Sequence, residues 1–309
     1  MRFDPVQLET LTVILEEGSF EAAARRLHLT PSAVSQRVRA LEREAGQVLV
    51  RRTSPVTVVP AGEPLVRLGR QLRLLAAEAA VALGGRGGEA GAEEVLELSV
   101  AVNADSLATW FRPVLAAGAG RVGTALRLHL DDESFSHDLL RRGEVLAAVT
   151  SEPRPVQGCS VEPLGLLRYR AASAPGLRER HGRGRGVDWA RMPMVVFDER
   201  DRLQDRVLED RGAPRPAVVH RVPSTADFLE AIRCGLGWGM VPEPQLAPAV
   251  AAGELVRLPG PAPVDVGLHW QRWRLESPAL DALTHDVRRA AGGLRALPGR
   301  RRPTIPHPD

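Results

Sequence analysis

The sequence contains no lysine: all 41 of its Lys or Arg residues are arginine. A Walker-type phosphate loop, a pyridoxal Schiff base and a kinase-type ATP site each need a lysine amine at a fixed place, so those chemistries are excluded. An arginine-only chain is the ordinary product of a GC-rich genome and needs no functional cause. Cysteine is scarce too. Cys159 and Cys234 stand far apart with no C-x-x-C pair, which argues against a zinc site or a disulfide framework and for reduced thiols. No stretch reaches the ~20 apolar residues of a membrane span, and the opening MRFDPVQLETL lacks the unbroken apolar run of a signal peptide. A cytoplasmic protein without a membrane partner is therefore expected. Long like-charge blocks and a low-complexity core are also missing.

What is present is globular composition, 44% hydrophobic and 26% charged over 309 residues with a formal charge of +3, enough chain for two or three compact units. Leu8, Leu11, Val13 and Leu15 recur at helical spacing from Pro5 to Glu17, and Gly18 stops that helix. Ser19 caps a second helix from Phe20 to Leu27, whose Ala22, Ala23 and Ala24 permit close backbone approach. Thr30-Pro31, a cap followed by proline at the first helical position, opens a third helix that runs to about Ala45 before Gly46. Two β-branched runs, Val48 to Arg51 and Thr57 to Val59, then read as a hairpin with a basic tip. A long helix from about Ala61 to Leu83 ends in the linker Gly84-Gly85-Arg86-Gly87-Gly88.

Beyond the linker, strand and helix alternate. Val95–Val102, a helix from Asp105 to Leu115, Leu126–Leu130, Phe135–Arg142 and Leu146–Thr150 make one cycle. A second runs from near Tyr169 through Met194–Phe197, Leu203–Asp210, Ala217–Val222, Ser224–Cys234 and Gly239–Pro242. The pattern is α/β with a largely parallel sheet in two lobes, to the first of which Val266–Trp273 and Pro278–Ala291 return. The expected division is a winged helix-turn-helix at 1–60, a long linker helix with its hinge at 61–88, and a two-lobed α/β domain at 89–296. Lobe I of that domain takes 94–166 and 267–296, and lobe II takes 167–266. The proline- and arginine-rich stretch 297–309 reads as a disordered tail.

On the third helix Val34, Val38 and Leu41 share one face and should pack on the first two helices. The other face then carries Ser32, Gln36 and Arg39, flanked by Ser35, Arg37 and Arg43, donors and acceptors suited to base edges and phosphates in a major groove. Thr30 and Pro31 start this element, and Arg51, Arg52 and Thr53 add a basic wing. Between residues 22 and 60 the basic residues are Arg25, Arg26, Arg37, Arg39, Arg43, Arg51 and Arg52, against Glu42 and Glu44 alone. Such an excess is the footprint of a polyanion, although an arginine-rich face taken alone is usually just solvated surface.

The segment FEAAARRLHLTPSAVSQRVRALEREAGQVLVRRTSPVTVVPAGEPLV resembles the N-terminal domain of LysR-type transcriptional regulators. SVAVNADSLATWFRPVL, LRRGEVLAAVT and GLGWGMVPE resemble the lysine- and arginine-responsive subgroup, the LysG/ArgP type. The similarity extends over nearly the whole chain except its proline-rich end. It implies that the helix from Ala61 is the dimerisation segment and that the remainder is a two-lobed, periplasmic-binding-protein-like effector domain. It also implies homodimers or tetramers, a double-stranded operator, RNA polymerase as a partner, no cofactor, and activation of a gene exporting a basic amino acid, with lysine, arginine or histidine as effector. Regulation by another small molecule, or architectural DNA binding with no effector, remain alternatives.

Independently of that resemblance, a two-lobed α/β domain binds ligands in the crevice at the carboxyl ends of its strands. The first such end, Asn103-Ala104-Asp105-Ser106, enters a helix N-terminus that favours an anion such as an α-carboxylate. Asn103 and Ser106 are the candidate donors there, and Asp105 and Ser106 are also plain helix caps. Asp131-Asp132-Glu133 ends the second strand, and one or two of those acids could pair with the cation of lysine or arginine, as could Asp198 after Phe197 in the other lobe. Solvated surface carboxylates are the plainer reading of that triplet. Thr150 closes another strand at the same edge, while Trp110, Tyr169 and Trp270 suit a core or a wall that could also hold a cation. His129 and His269 have no spaced partner for a metal. An enzyme is disfavoured by the lack of a G-x-S-x-G elbow, an H-E-x-x-H pair or a dinucleotide fingerprint.

Overall fold

The chain, in a computed structural model, is described for residues 3–83, 95–130 and 133–297. The glycine-rich linker at 84–88, Asp131, Asp132 and most of the expected tail lie outside these residues. No helix among those described is long and apolar enough to cross a membrane.

The first three helices are α1 (Pro5–Glu17), α2 (Phe20–Arg26) and α3 (Pro31–Ala45). Each begins on a side-chain cap, Asp4, Ser19 and Thr30 accepting from Val6, Ala22 and Ala33 N–H, and Gly18 and Gly46 end α1 and α3 at φ 72° and 66°. Leu11, Ile14, Val34, Val38 and Leu41 are fully buried and form a separate small core. The hairpin of β1 (Val50–Arg51) and β2 (Thr57–Val58) is shorter than its β-branched residues suggest, and Val48 is exposed ahead of it.

The long helix α4 (Glu63–Ala82) belongs to two cores. Leu65 and Val66 complete the N-terminal core, and Leu74 enters that of the following domain. Gly69 lets α4 lie directly on α1: a Cβ there would come within 2.7 Å of Thr12 Oγ1 and 3.0 Å of the Leu8 carbonyl oxygen.

The remaining chain is built on β3 (Leu96–Val102), β4 (Thr124–Leu130), β5 (Ala147–Thr150), β6 (Cys159–Ser173), β11 (Gly239–Pro242), β12 (Val256–Arg257) and β13 (Val264–Trp273). Their order is β11-β6-β13-β5-β3-β4, with β12 also on β6. The largely parallel sheet expected from strand and helix alternation is corrected here. Only β3 pairs its neighbours β4 and β5 in parallel, whereas β13 with β5, β13 with β6, and β11 and β12 with β6 are antiparallel. The reason is that β6 and β13 are long strands running past each other from one lobe into the other. Trp273 faces Cys159 at one end and Val264 faces Tyr169 at the other, with an irregularity at Leu268/His269. Near it Gly165, at φ 149°, has Leu294 so close that a Cβ would meet its side chain at 2.7 Å.

Lobe I adds α5 (Ala104–Ala108), α6 (Arg112–Ala119), α7 (Glu133–Arg141) and α12 (Pro278–Ala291). The single helix expected from Asp105 to Leu115 is two, because Pro113 sits in the first turn of α6 and would collide with a continuous helix around Thr109, whose backbone turns to φ −121°, ψ −101°. Lobe II carries the parallel pair β9 (Met194–Val196) and β10 (Val219–Arg221), with α8 (Pro175–Arg180), α9 (Leu203–Asp210), α10 (Thr225–Arg233), α11 (Glu243–Ala251) and the small hairpin β7 (Gly182–Arg183) with β8 (Gly186–Val187).

Lobe I is fastened to α4. The Glu78 carboxylate accepts from Ser277 Oγ at 2.6 Å and from Ala279 N at 3.0 Å, so it helps cap α12. Arg67 donates to the Gln157 carbonyl at 3.1 Å, and Arg141 pairs with Glu63 at 3.3 Å.

Candidate nucleic-acid interface and ligand cleft

Burial of Val34, Val38 and Leu41 turns the opposite side of α3 outward. Pro31, Ser32, Gln36, Arg39 and Arg43 are exposed there, with Ser35 half-buried beside them. Thr30 Oγ1 also lies 3.0 Å from Ser32 Oγ. In the hairpin Arg51, Arg52 and Thr53 are exposed. Arg52 stacks 4.8 Å above the Phe20 ring, and Thr53 Oγ1 donates to the Pro55 carbonyl at 2.7 Å, so both side chains are held in place. Two arginines counted in the basic excess are engaged elsewhere. Arg26 pairs with Glu16 and Glu17 at 3.0 Å, and Arg37 is half-buried and reaches Thr10 Oγ1 at 3.4 Å. Arg25, Arg39, Arg43, Arg51 and Arg52 make no ion pair among the described residues, while Glu42 accepts from Leu49 N at 3.0 Å and ties α3 to the wing. What remains is a basic surface of one helix face and one hairpin, of the kind that reads a duplex.

Between the lobes lies a cavity of about 760 Å³. Lobe I contributes Asn103, Ala104, Asp105, Leu130 and Ser151; the crossing strands contribute Tyr169, Asp265, Val266 and Gly267. Lobe II closes the other side with Phe197, Asp198, Asp201, Thr225, Phe228 and the arginines Arg200, Arg202 and Arg206.

Asp105 is the focus of the lobe I wall. Tyr169 OH donates to its Oδ2 at 2.8 Å. Burial raises its pKa to about 6, the tyrosine hydroxyl opposes the rise, and Asp201 across the cleft adds to it. Asp201 is raised too, chiefly by burial, although its carboxylate accepts from the N–H groups of Phe197 at 3.0 Å and Leu203 at 3.1 Å. Neither aspartate makes an ion pair among the described residues. Two desolvated carboxylates from opposite lobes thus face one space, an arrangement that a cation would relieve. Arg206, exposed on α9 at the same cavity and without an ion pair among the described residues, supplies a donor for a carboxylate.

The candidates from sequence divide accordingly. Asn103, Ala104, Asp105, Phe197 and Asp198 line the cavity. Asp198 is partly committed, its Oδ1 accepting from the N–H groups of Arg200 and Asp201 at 2.8 and 3.0 Å. Ser106 and Thr150 are fully buried outside the wall, the Thr150 hydroxyl accepting from Glu152 N at 3.0 Å. Trp110 is buried edge-on to Phe111 and does not reach the cavity. Trp270 is core, donating to Thr284 Oγ1 at 3.2 Å, whereas Tyr169 is both wall and hydrogen-bond donor. Asp105 does not cap its helix: Asn103 holds the cap position of α5. Asp131 and Asp132 are outside the described residues, and Glu133 opens α7. Asp201 and Arg206 escaped sequence reasoning. Asp201 sits in the acidic-basic stretch Asp198-Glu199-Arg200-Asp201-Arg202, which signals a loop but not which carboxylate turns inward. His129 and His269 lie in β4 and β13, and no group of three or more potential metal ligands occurs among the described residues.

Residues 5–63 match the family described as bacterial regulatory helix-turn-helix protein, lysR family, and residues 91–292 match the LysR substrate binding domain. The lysine export transcriptional regulatory protein LysG of Corynebacterium glutamicum is 48% identical over 295 residues, 94% of this chain and 99% of that protein. The transcriptional regulator ArgP of Pseudomonas aeruginosa is 37% identical over 301 residues, 96% and 99% of the two chains. Among solved structures, full-length LysG from Corynebacterium glutamicum with bound effector Arg superposes with a TM-score of 0.79 at 48% identity, covering 95% of this chain and 100% of that one. ArgP from Mycobacterium tuberculosis gives 0.85 at 41% identity, covering 96% and 99%.

Proposed function

The chain belongs to the LysR family of bacterial helix-turn-helix regulators, and from that membership we propose that it is a transcriptional regulator, not an enzyme, whose grip on its operator responds to a basic amino acid held between its lobes. Arginine and lysine are the leading effectors, with histidine third, and the regulated gene exports such an amino acid. The relatives named for lysine export and the one holding arginine support this reading.

The observation that carries it is the polarity of the cleft: Asp105 and Asp201 face each other across the lobes, with Arg206 on the same wall. A basic amino acid has a cation at one end and an α-carboxylate at the other, and it fits with the cation against the aspartates and the carboxylate toward Arg206. Asn103 and Asp198 line the same space. Binding ties lobe I to lobe II, which favours the closed arrangement of the two; a ligand acts only through such a preference.

In the operator complex α3 enters the major groove with Ser32, Gln36 and Arg39 toward base edges, while Arg43, Arg51 and Arg52 meet phosphates. The protein works as a homodimer or tetramer in the cytoplasm, with RNA polymerase as its partner at the promoter. Leu72 and Leu75, each 36% exposed, and Val81, 60% exposed, are apolar residues on α4 that support pairing of two such helices.

Titration of the full chain with arginine, lysine, histidine and, as control, a neutral amino acid by calorimetry tests the effector assignment. Saturable heat for a basic amino acid and none for the neutral one is the expected result; heat for neither, or equal heat for both, overturns it. Binding to its own promoter region over random competitor at moderate salt tests the DNA assignment separately.

A further inference from the structure

A second cavity, of about 840 Å³, lies where the DNA-reading unit, α4 and lobe I meet. Three of its lining residues present buried nitrogen atoms with no hydrogen-bond partner among the described residues: Arg70 Nη1 on α4, His129 Nε2 on β4 and Trp273 Nε1 at the end of β13. Native proteins rarely leave such atoms unpaired, because each forfeits its water without a replacement. The guanidinium and the indole can only donate, and the imidazole can do so as well. Three donors on one cavity call for an acceptor.

The charges on the wall point the same way. Glu16 is surrounded by Arg26 at 3.0 Å, by Arg73, and by Arg70 at 3.9 Å. Arg127 is paired with Glu97 and Arg142 with Glu144, each at 3.3 Å. Arg70 is therefore the surplus cation, with only a distant share of a carboxylate already held by two other arginines. Burial works against its charge, and Glu16 and Glu144 together offset only part of that.

We propose that this interdomain cavity is a binding site for a small oxyanion, phosphate or the carboxylate group of a small metabolite, held by Arg70, His129 and Trp273. The bound anion would bridge the linker helix to the edge strand β4 and to the end of β13, and so join the DNA-reading unit to lobe I at a point remote from the interlobe cleft.

The test is a titration of the full chain with sodium phosphate and, separately, sodium acetate at pH 7.5, with chloride adjusted to keep ionic strength constant. One saturable site for phosphate or acetate is expected, and which of the two binds more tightly distinguishes the sources. Arg70→Met, which keeps the aliphatic stem, and His129→Leu should each weaken it, the arginine variant by about tenfold or more. Loss of both folded variants is guarded against by recording their circular dichroism and by Trp273→Phe, which deletes the indole donor without touching any ion pair. No saturable binding to the wild type, binding unchanged in all three variants, or binding lost instead on Arg206→Gln in the interlobe cleft would each overturn the proposal.

Discussion

The proposed seating of a basic amino acid against Asp105 predicts that binding is linked to a proton. In the empty protein its carboxyl titrates at about 6 instead of the ordinary 3.8, because burial penalises the anion and Asp201 repels it. A cation seated against it reverses both effects and pulls the pKa back down. At pH 5.5 about three-quarters of Asp105 is protonated in the empty protein, so a basic amino acid should expel roughly 0.7 proton on binding; at pH 8 almost nothing is released. Affinity should accordingly fall about tenfold between pH 8 and pH 5. Calorimetry in two buffers of different ionisation enthalpy reads the proton directly, as a buffer-dependent heat at pH 5.5 that vanishes at pH 8. The stability consequence has a definite sign. A carboxyl raised by folding keeps its proton in the folded state where the unfolded chain has lost it, so its contribution to stability is best at acid pH and declines as pH rises through about 6. Above that the ionised form carries a penalty of roughly 3 kcal/mol at most. Asp105→Asn keeps an acceptor for Tyr169 OH and removes that penalty. It should raise the stability of the empty protein at pH 7.5, with the gain fading toward pH 4, while weakening arginine or lysine binding about ten- to hundredfold. A heat at pH 5.5 that ignores the buffer, together with an Asp105→Asn variant that binds normally, would refute the reasoning.

Three further outcomes are expected. Arg39→Ala should weaken operator binding by ~1–3 kcal/mol and relax the preference at one base pair, whereas Arg37→Ala should cost less, its guanidinium being turned to Thr10; equal losses in a footprint titration would contradict the assignment. Gly69→Ala should lower the stability of the N-terminal unit by ~1–3 kcal/mol, since its Cβ would press into Thr12 Oγ1 and the Leu8 carbonyl; an unshifted denaturation midpoint would argue against close α1–α4 packing. Glu78→Ala should cost ~0.5–2 kcal/mol through the lost cap on α12 and raise hydrogen exchange at Ala279 and Leu280; unchanged protection there would mean that the contact is idle.

Much of the N-terminal unit was legible because its signals are local. A cap, a proline and a glycine fix where α3 starts and stops, and the i, i+4, i+7 spacing of Val34, Val38 and Leu41 fixes which side is buried. Exposure of the opposite side follows without knowledge of any distant residue. What sequence could not supply is which arginines are spoken for. Arg26 looks equivalent to Arg25 in the chain, yet only Arg26 lies over Glu16 and Glu17. The sheet direction was missed for a related reason. Alternation of strand and helix implies parallel pairing only when each helix returns the chain to the same edge, and here β6 and β13 are long enough to traverse both lobes and pair antiparallel with each other.

The cleft shows why sequence reading stops short of a site. By sequence, the stretch 103–106 is a strand end entering a helix N-terminus that favours an anion, with Asn103 and Ser106 as its donors. The function proposed above seats a cation at this wall instead, because α5 is a single short turn and the carboxylate of Asp105 itself lines the cavity, desolvated beside Tyr169 OH. Tyr169 is brought there by β6, and Asp201 by the loop after β9, two elements that meet α5 only because the crossing strands fold lobe II over lobe I. A carboxylate's preference for charge or for a proton is set by what surrounds it in three dimensions, so no spacing within the stretch 103–106 could have revealed it. The polarity of the cleft is a property of the two lobes together, and a ligand that recognises both walls favours the arrangement that brings them to it.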